Sequence, residues 1–243
     1  MPNLSYTNLT SSFGGNNFLV FKTRTSQKFN RRLESIIFTL LNESPALFNT
    51  MEDHIARLFP MSHRTLESNR SPVKNFTSRS DFNLLTLNFL EFQNLKKLIS
   101  NCFCIFLREF SSQYSGRKPN LITSWVNIVK DFDGKFPPHK HHSDPLNVTG
   151  IYFVSGDYFK GTGGTRFWIH HENKCTIKSV APVSSGTLIF FQGTFAHAAP
   201  AYQSDVARIC IPFDIRSERS ENGQSQYCLL DAENPWTKVW NYS

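Results

Sequence analysis

Between Leu121 and Ile215 the sequence consists of short β-rich runs separated by Gly, Pro, Asn and Asp residues. These runs are Ile122–Lys130, Val148–Val154, Thr165–His170, Thr176–Ala181, Thr187–Gln192 and Ala207–Ile215. Short strands at this close spacing are typical of a β-barrel or β-sandwich. An aromatic fraction of 14%, with 23 Phe residues, supplies enough apolar surface for such a core and argues against disorder over most of the chain.

The N-terminal part of the chain carries helical spacing instead. Within residues 26–59, apolar side chains recur at intervals of three and four and form one amphipathic face: Phe29, Leu33, Ile36, Ile37, Leu40 and Leu41. Ser44 followed by Pro45 is typical of a helix start, and it predicts a second helix that runs to about Phe59. A third helix is predicted from about Leu90 to Phe110. Ahead of all three, Phe18–Thr23 predicts a short strand.

The length of 243 residues favours a single domain over 1–243. We predict a mainly β fold with flanking helices, in which residues 1–115 form a helical N-terminal layer and residues 116–243 form the β core. The polar and basic segment at residues 62–81 is predicted to be a loop or a mobile flap.

Charge and cysteine usage indicate the surroundings of the protein. A net charge of +7 permits an anionic partner, but the chain has no dense Lys/Arg run, so nucleic acid is not expected to be one. The five cysteines form neither a zinc pattern nor a disulfide framework, which favours a reducing compartment. The N-terminus lacks the layout of a signal peptide, and no apolar run reaches membrane-spanning length. The expectation is a cytoplasmic protein with no membrane partner.

Three of the eight histidines lie in one short polar segment, Pro137-Pro-His139-Lys-His141-His142-Ser-Asp144. Imidazole and carboxylate are the ligands that suit non-haem iron(II) with open coordination positions. Residues two apart on a strand point the same way, so either His139 with His141 or His142 with Asp144 could hold one metal ion. One pair occupies odd-numbered positions and the other even-numbered positions, so on a strand the two pairs point to opposite faces. Only one of them should face a barrel interior.

A second group of residues follows the strand Thr187–Gln192. A polar loop ends on His197, and Arg208 comes eleven residues later at the start of an apolar strand. A histidine can complete a metal site, and the fork of an arginine binds the distal carboxylate of a dicarboxylate bidentately.

These motifs together resemble those of iron(II)- and 2-oxoglutarate-dependent oxygenases of the prolyl-4-hydroxylase type. Gly134-Lys-Phe-Pro-Pro-His139-Lys-His141 is similar to the family's Gly-x-aromatic-x-x-His-x-Asp signature. A bacterial and phage branch with a His-x-His motif is more similar still, with counterparts of Trp125-Val-Asn127, Thr149-Gly-Ile-Tyr152-Phe153, the Gly163-Gly164 turn and the run Pro182…Gly186…His197…Arg208. The resemblance covers about residues 121–216 and implies a double-stranded β-helix (jelly-roll or cupin-like) core.

The resemblance implies His139 and His197 as iron ligands and Arg208 as the anchor for 2-oxoglutarate. The usual carboxylate position falls on His141, which leaves three alternatives open. His141 is a third imidazole ligand, or Asp144 supplies the carboxylate after a local kink, or the working pair is shifted to His142 and Asp144. Chloride in place of the missing carboxylate is disfavoured, since a histidine fills that space.

Four further residues are candidates for the site because of their position on the predicted strands. Asn127 and Tyr152 are candidates for hydrogen bonds to the cosubstrate, and Trp125 and Trp168 for substrate contacts near the barrel mouth. His170-His171-Glu172 also offers ligand-type side chains, but its place at a strand end favours an exposed segment.

The resulting hypothesis is an enzyme that uses iron(II), 2-oxoglutarate and O₂ to hydroxylate an unactivated C–H bond. A small-molecule substrate is expected, with a protein side chain or a carrier-bound group as alternatives. Two other functional classes stay open: a three-histidine iron dioxygenase that does not use 2-oxoglutarate, and a non-catalytic cupin-like binding module.

Overall fold

A computed structural model describes residues 4–23, 25–50, 75–78, 82–114, 121–132, 138–156, 164–171, 174–180, 184–216 and 228–229. The helices of these residues are α1 (Gln27–Glu43), α2 (Leu90–Glu109) and the single turn α3 (Ser111–Tyr114). The strands, numbered β1 to β13 in chain order, are Ser5–Asn8, Phe18–Lys22, Phe48–Thr50, Phe76–Ser78, Leu121–Ser124, Asn127–Phe132, Val148–Ser155, Arg166–His171, Lys174–Ser179, Thr187–Gln192, His197–Ala198, Tyr202–Arg216 and Cys228–Leu229.

The strands form two antiparallel sheets. The large sheet has the order β1-β2-β10-β7-β12-β6-β4-β3, with β5 also pairing with β12 and β13 pairing with β5. The small sheet has the order β11-β8-β9. An isolated bridge between His139 and His197 adds the histidine segment to the small sheet beside β11. This two-sheet architecture confirms the predicted mainly β fold with a double-stranded β-helix core.

Each face of the large sheet packs against a different layer. The helices cover one face through a cluster that includes Leu33 of α1, Leu95 of α2 and Ile211 of β12. The opposite face packs against the small sheet through a second cluster, which contains Phe153 of β7 and Phe167 of β8. We call the space around this second cluster the barrel interior. Because side chains alternate along a strand, the strands β2, β7, β10 and β12 contribute to both layers.

Strand β12 shows this alternation over its C-terminal half. Its odd-numbered residues from Ile209 to Ile215 belong to the helix-side cluster, and Cys210 belongs to the barrel interior. Arg208, Cys210, Pro212 and Asp214 therefore share the barrel face of β12. The strand pairs with β5, β6 and β7, so these residues stand near the centre of the large sheet.

The N-terminal region departs from the predicted helical layer in two places. Strand β2 matches the strand predicted at Phe18–Thr23, and it pairs with β10, so this region also supplies an edge of the large sheet. The second α-helix predicted from Pro45 is wrong for the residues described. Pro45–Leu47 forms one 3-10 turn, the Ser44 side chain makes no capping hydrogen bond, and β3 follows directly. Pairing of β3 with β4 outweighs the local helix signal.

The helices predicted before and after this segment are confirmed. In α1 the Ser26 side chain accepts a hydrogen bond from the backbone N–H of Phe29, a normal N-cap that sets the start of the helix. The predicted flap at residues 62–81 lies mostly outside the described residues. Its described part, 75–78, includes β4, which pairs with β6. None of the described helices combines the length and the apolar character that a membrane span requires.

Candidate metal centre

Three imidazole side chains meet at one end of the barrel interior. The ligand atoms of His139, His141 and His197 all lie within 4.8 Å of one another. The ring centroid of His139 is 4.7 Å from that of His197 and 5.2 Å from that of His141. Among the residues described, this is the group of ligand-type side chains with metal-binding geometry. We call it the histidine triad.

Backbone pairing explains how the triad assembles. The backbone N–H of each residue in the pair His139 and His197 donates to the carbonyl of the other at 3.0 Å, so the two residues face each other across the small sheet. His141 is two residues beyond His139 and projects to the same side. The backbone N–H groups of His141 and His142 both donate to the Gly193 carbonyl at 3.2 Å, which fixes the segment against the loop before β11.

Hydrogen bonds at Nδ1, the ring nitrogen that points away from the centre of the triad, define the tautomers of two of its histidines. His197 Nδ1 lies 2.9 Å from the Phe195 carbonyl oxygen, and His141 Nδ1 lies 2.9 Å from Asp214 Oδ1. Carbonyl and carboxylate oxygens only accept hydrogen bonds, so both Nδ1 atoms carry the proton and donate. In the neutral imidazole form, the Nε2 atoms of His141 and His197 then carry the lone pair that a metal ion requires.

Burial keeps one of these imidazoles neutral. His197 is 5% exposed, and its burial lowers the pKa well below the ordinary histidine value. The positive charge that His141 and His139 would carry lowers the pKa of His197 further. A neutral imidazole is the form that binds a metal, so this residue needs no deprotonation near neutral pH.

A buried carboxylate stands directly behind the triad. Asp214 accepts hydrogen bonds at its Oδ1 from His141 Nδ1 at 2.9 Å and from Thr149 Oγ1 at 2.8 Å. Burial acts to raise the pKa of this carboxyl, but the adjacent His141 and the contacts with His142 outweigh it and hold the pKa well below its usual range. Asp214 is therefore an anion inside the fold.

Sequence reasoning missed Asp214. The only signal was a lone carboxylate among apolar residues on a predicted core strand, and its partner His141 is 73 residues away in the chain. A charged residue in such a position requires a partner, but the sequence does not say which.

The alternative pair of His142 and Asp144 does not join the triad. His142 is buried on the other side of the segment, where a Cβ atom placed on Gly193 would come within 2.4 Å of its Cδ2 atom. Its Nε2 lies 3.4 Å from Asp214 Oδ1 without hydrogen-bond alignment. Asp144 accepts from the backbone N–H of Leu146 at 2.9 Å and so shapes the following turn.

Arg208 is a buried cation in the same interior. It is 3% exposed, its Nη2 donates one long hydrogen bond of 3.4 Å to the Gly164 carbonyl, and its Nε has no hydrogen-bond partner. The guanidinium carbon lies 5.9 Å from the centroid of the Phe153 ring. No carboxylate of the described residues forms an ion pair with it. A buried guanidinium with this environment fits an anionic ligand.

Two of the other predicted residues face the barrel interior. The Trp125 ring centroid is 5.2 Å from that of His141, and Trp125 is partly exposed, so it can reach a molecule bound at the triad. Asn127 pairs with Cys210 across the sheet and accepts a hydrogen bond from Thr77 at 2.8 Å.

The structure contradicts the predictions for Tyr152 and Trp168. Tyr152 lies on the helix side of β7, where its hydroxyl donates to Asn30 Oδ1 of α1 at 2.6 Å. Trp168 alternates with Phe167 and Ile169, which face the interior, and therefore lies on the outer face of the small sheet. Neither side chain projects toward the triad. His170 is exposed on the same outer face, as expected from the sequence.

The two-sheet architecture is that of a double-stranded β-helix, and the histidine triad combines a His-x-His pair with a distal histidine. No protein-family model matches the sequence, and no curated protein matches it.

Solved structures, among them a prolyl hydroxylase and an α-ketoglutarate-dependent enzyme, share this fold at low sequence identity. A prolyl-4-hydroxylase from Pseudomonas putida superposes with a TM-score of 0.55 at 12% identity, covering 87% of this chain and 96% of that one. AviO1 from Streptomyces viridochromogenes gives 0.56 at 11%, covering 90% and 96%. SnoK, a non-haem α-ketoglutarate-dependent carbocyclase from nogalamycin biosynthesis, gives 0.53 at 11%, covering 85% and 81%. At such identities the similarity establishes the fold.

Proposed function

We propose that the protein is an iron(II)- and 2-oxoglutarate-dependent oxygenase that oxidises an unactivated C–H bond, with hydroxylation as the expected outcome. The observation that carries this proposal is the histidine triad. In His141 and His197 the Nδ1 atom donates a hydrogen bond to a protein oxygen, so that the Nε2 atom is left for a metal ion. Nitrogen donors of this kind suit iron(II), and three of them leave positions for a bidentate cosubstrate and O₂. His139, His141 and His197 would hold the metal, which would supply the redox chemistry of O₂ activation.

The environment of Arg208 supports 2-oxoglutarate as the cosubstrate. Burial of a guanidinium without a carboxylate partner is unfavourable, and a dicarboxylate would supply the missing acceptor. Arg208 would bind the distal carboxylate, and the neighbouring Asn127 offers an amide for a further hydrogen bond. The side chain of Arg208 shares the barrel face of β12 with Asp214, and Asp214 contacts the triad at His141.

The walls of the interior restrict water near the triad. The ring of Phe191 lies 4.9 Å from that of His197, and the ring of Phe167 lies 6.0 Å from it. Both phenylalanines are fully buried. Exclusion of water protects a reactive centre from side reactions, so these rings suit oxidative chemistry.

A small molecule is the proposed substrate. Trp125 provides an aromatic surface beside His141 that could contact it. The alternatives are a protein side chain and a carrier-bound group. A cytoplasmic location is proposed on the basis of cysteine usage.

The test is anaerobic loading with iron(II), followed by measurement of succinate formed from 2-oxoglutarate in the presence of ascorbate and O₂. We expect retained iron and slow succinate formation without added substrate. The variants His139→Ala and His197→Ala should lose both. His170→Ala is the matched control, because this exposed imidazole lies outside the triad. No retained iron together with no succinate would refute the proposal, and it would favour a non-catalytic cupin-like module.

One observation favours a second candidate, a three-histidine dioxygenase that does not use 2-oxoglutarate. The triad contains a third imidazole where the family places a carboxylate ligand. The variant Arg208→Ala separates the two candidates. O₂ consumption that needs no 2-oxoglutarate and is unchanged in this variant would favour the second candidate, whereas loss of succinate formation favours the first.

A further inference from the structure

The negatively charged group of this site, Asp214, contacts a candidate ligand and is not itself one of the three candidate ligands. The described group with metal-binding geometry consists of three imidazoles, which are neutral when they bind a metal ion. The carboxylate of Asp214 is not part of that group, yet it contacts His141 directly at 2.9 Å. A carboxylate that binds the outer nitrogen of a ligating histidine fixes the tautomer and the orientation of the ring, and it raises the basicity of the inner nitrogen.

We infer that Asp214 is the positioning residue of the metal centre: it holds His141 with Nε2 toward the metal and supplies, through the imidazole, the negative charge that a ligating carboxylate would otherwise provide. This inference rests on the proposed function, since it requires that His141 binds a metal ion. It assigns Asp214 a role through His141 and no direct contact with metal, cosubstrate or substrate.

The geometry around Asp214 supports this role without reference to a metal. Thr149 on the neighbouring strand β7 donates to the same Oδ1 atom that receives His141 Nδ1–H. The Thr149 side chain is fully buried, so the carboxylate is fixed by two donors in a dry environment. A carboxylate that is held in this way resists rotation and can determine the orientation of the half-buried imidazole.

His142 and Gly193 restrict the position of Asp214 from the other side. The ring of His142 packs against Gly193, where a Cβ atom would overlap it, and its Nε2 approaches Asp214 Oδ1 to 3.4 Å. His142 thus packs beside the Asp214 carboxylate, while His141 belongs to the histidine triad. This gives the buried His142 a position in the site although it is not a ligand candidate.

The test compares Asp214→Asn with Asp205→Asn in the full-length protein. Asp205 lies on the same strand but is exposed, so its variant makes the same chemical change away from the site. The first readout is the affinity of the metal-free protein for Co(II), followed by its visible absorption. We expect Asp214→Asn to weaken Co(II) binding about 10- to 100-fold and to change the Co(II) spectrum. Residues that hydrogen-bond a ligating histidine have effects of this size on metal affinity. Asp205→Asn should match the wild type.

The second readout is the tautomer of His141 in the Zn(II)-loaded protein, measured by nitrogen-15 NMR of the histidine rings. In the wild type we expect a protonated Nδ1 on His141, and in Asp214→Asn an altered Nδ1 signal. A structural role alone would lower the thermal stability without changing the Co(II) spectrum or the tautomer. The wild-type NMR measurement keeps the test decisive if Asp214→Asn does not fold.

The possible failures are distinguishable. If the wild type binds neither Co(II) nor Zn(II), the proposed function fails, and the inference fails with it. If the wild type binds both ions and Asp214→Asn binds Co(II) with unchanged affinity and spectrum, the inference alone is wrong. A wild-type His141 with an unprotonated Nδ1 in the Zn(II) complex would also overturn the inference while leaving the metal site intact.

Discussion

Replacement of Arg208 by Met should stabilise the metal-loaded protein and abolish its response to 2-oxoglutarate. Arg208 is 3% exposed, makes one hydrogen bond of 3.4 Å and leaves Nε without a partner. A buried donor without a partner costs about 1–3 kcal/mol of folding free energy. The contact with the Phe153 ring, at 5.9 Å, offsets roughly 0.5–1 kcal/mol of this. Met retains most of the apolar contacts and has no donor to bury.

The difference between these two ranges is a net gain in the free energy of unfolding of about 0–2.5 kcal/mol. For a chain of this size each kcal/mol raises Tm by roughly 2–4 °C, so Arg208→Met should melt up to roughly 10 °C above the wild type. In contrast, 2-oxoglutarate at 100 times its Kd stabilises a protein that binds it by about 2.7 kcal/mol, which is a rise of roughly 5–11 °C. The wild type should show this rise, and the variant should not.

The assay is anaerobic thermal unfolding of the metal-loaded proteins with and without 2-oxoglutarate. Arg166→Met is the control, because Arg166 alternates with the inward-facing Phe167 and lies on the outer face of the small sheet. This control should keep the full ligand-induced shift. The reasoning would be refuted if Arg208→Met melted below the wild type and still gained stability from 2-oxoglutarate, because Arg208 would then be a structural cation with partners of its own.

Contacts in and around the site lead to four further predictions. Loss of a residue that hydrogen-bonds a ligating histidine weakens metal binding roughly 10- to 100-fold, so loss of a ligand itself in His197→Ala should weaken Co(II) binding more than that. Titration of the metal-free protein measures this affinity, and unchanged binding would remove His197 from the site. Gly193→Ala should lower stability by about 1–3 kcal/mol in thermal unfolding, since its Cβ would lie 2.4 Å from His142 Cδ2 and displace that ring; a wild-type Tm would contradict this packing. Tyr152→Phe should reduce stability through the lost hydrogen bond to Asn30 but leave the Kd for 2-oxoglutarate unchanged, and a weakened Kd would restore Tyr152 as a cosubstrate ligand. Because burial raises the pKa of Tyr152 to about 12, the protonated form is favoured in the fold, and the wild type should lose more stability than Tyr152→Phe as the pH rises above the ordinary tyrosine pKa of 10.0.

The β core was predictable because its signals are local. The runs Val148–Val154 and Thr187–Gln192 are strands within one residue of their predicted bounds, since apolar β-branched runs between turn residues leave few alternatives. For the first metal pair, the sequence left three alternatives open, and the structure brings His139 and His141 together with His197. Pairing of His139 with His197 across the small sheet then brings the two ends of this pattern into contact.

The errors arose where long-range packing decides the outcome. Both faces of β7 are apolar, because helices cover one and the small sheet covers the other, so the sequence could not indicate that Tyr152 faces α1. The partner of His141 is likewise a matter of tertiary structure, since Asp214 reaches it only through the sheet. Pro45 carries a real helix-start signal, but the signal was overridden when β3 paired with β4.

Strand β12 acts as a fixed frame for the site. Arg208 and Asp214 project from one face of one continuous strand, and six residues of β-strand place their backbones roughly 20 Å apart along it. Covalent geometry sets this spacing, so no loop movement can change it. His139 and His197, in contrast, belong to the small-sheet side and are joined to each other by two backbone hydrogen bonds. A molecule bound between Arg208 and the triad therefore meets a fixed spacing on the large-sheet side of the site.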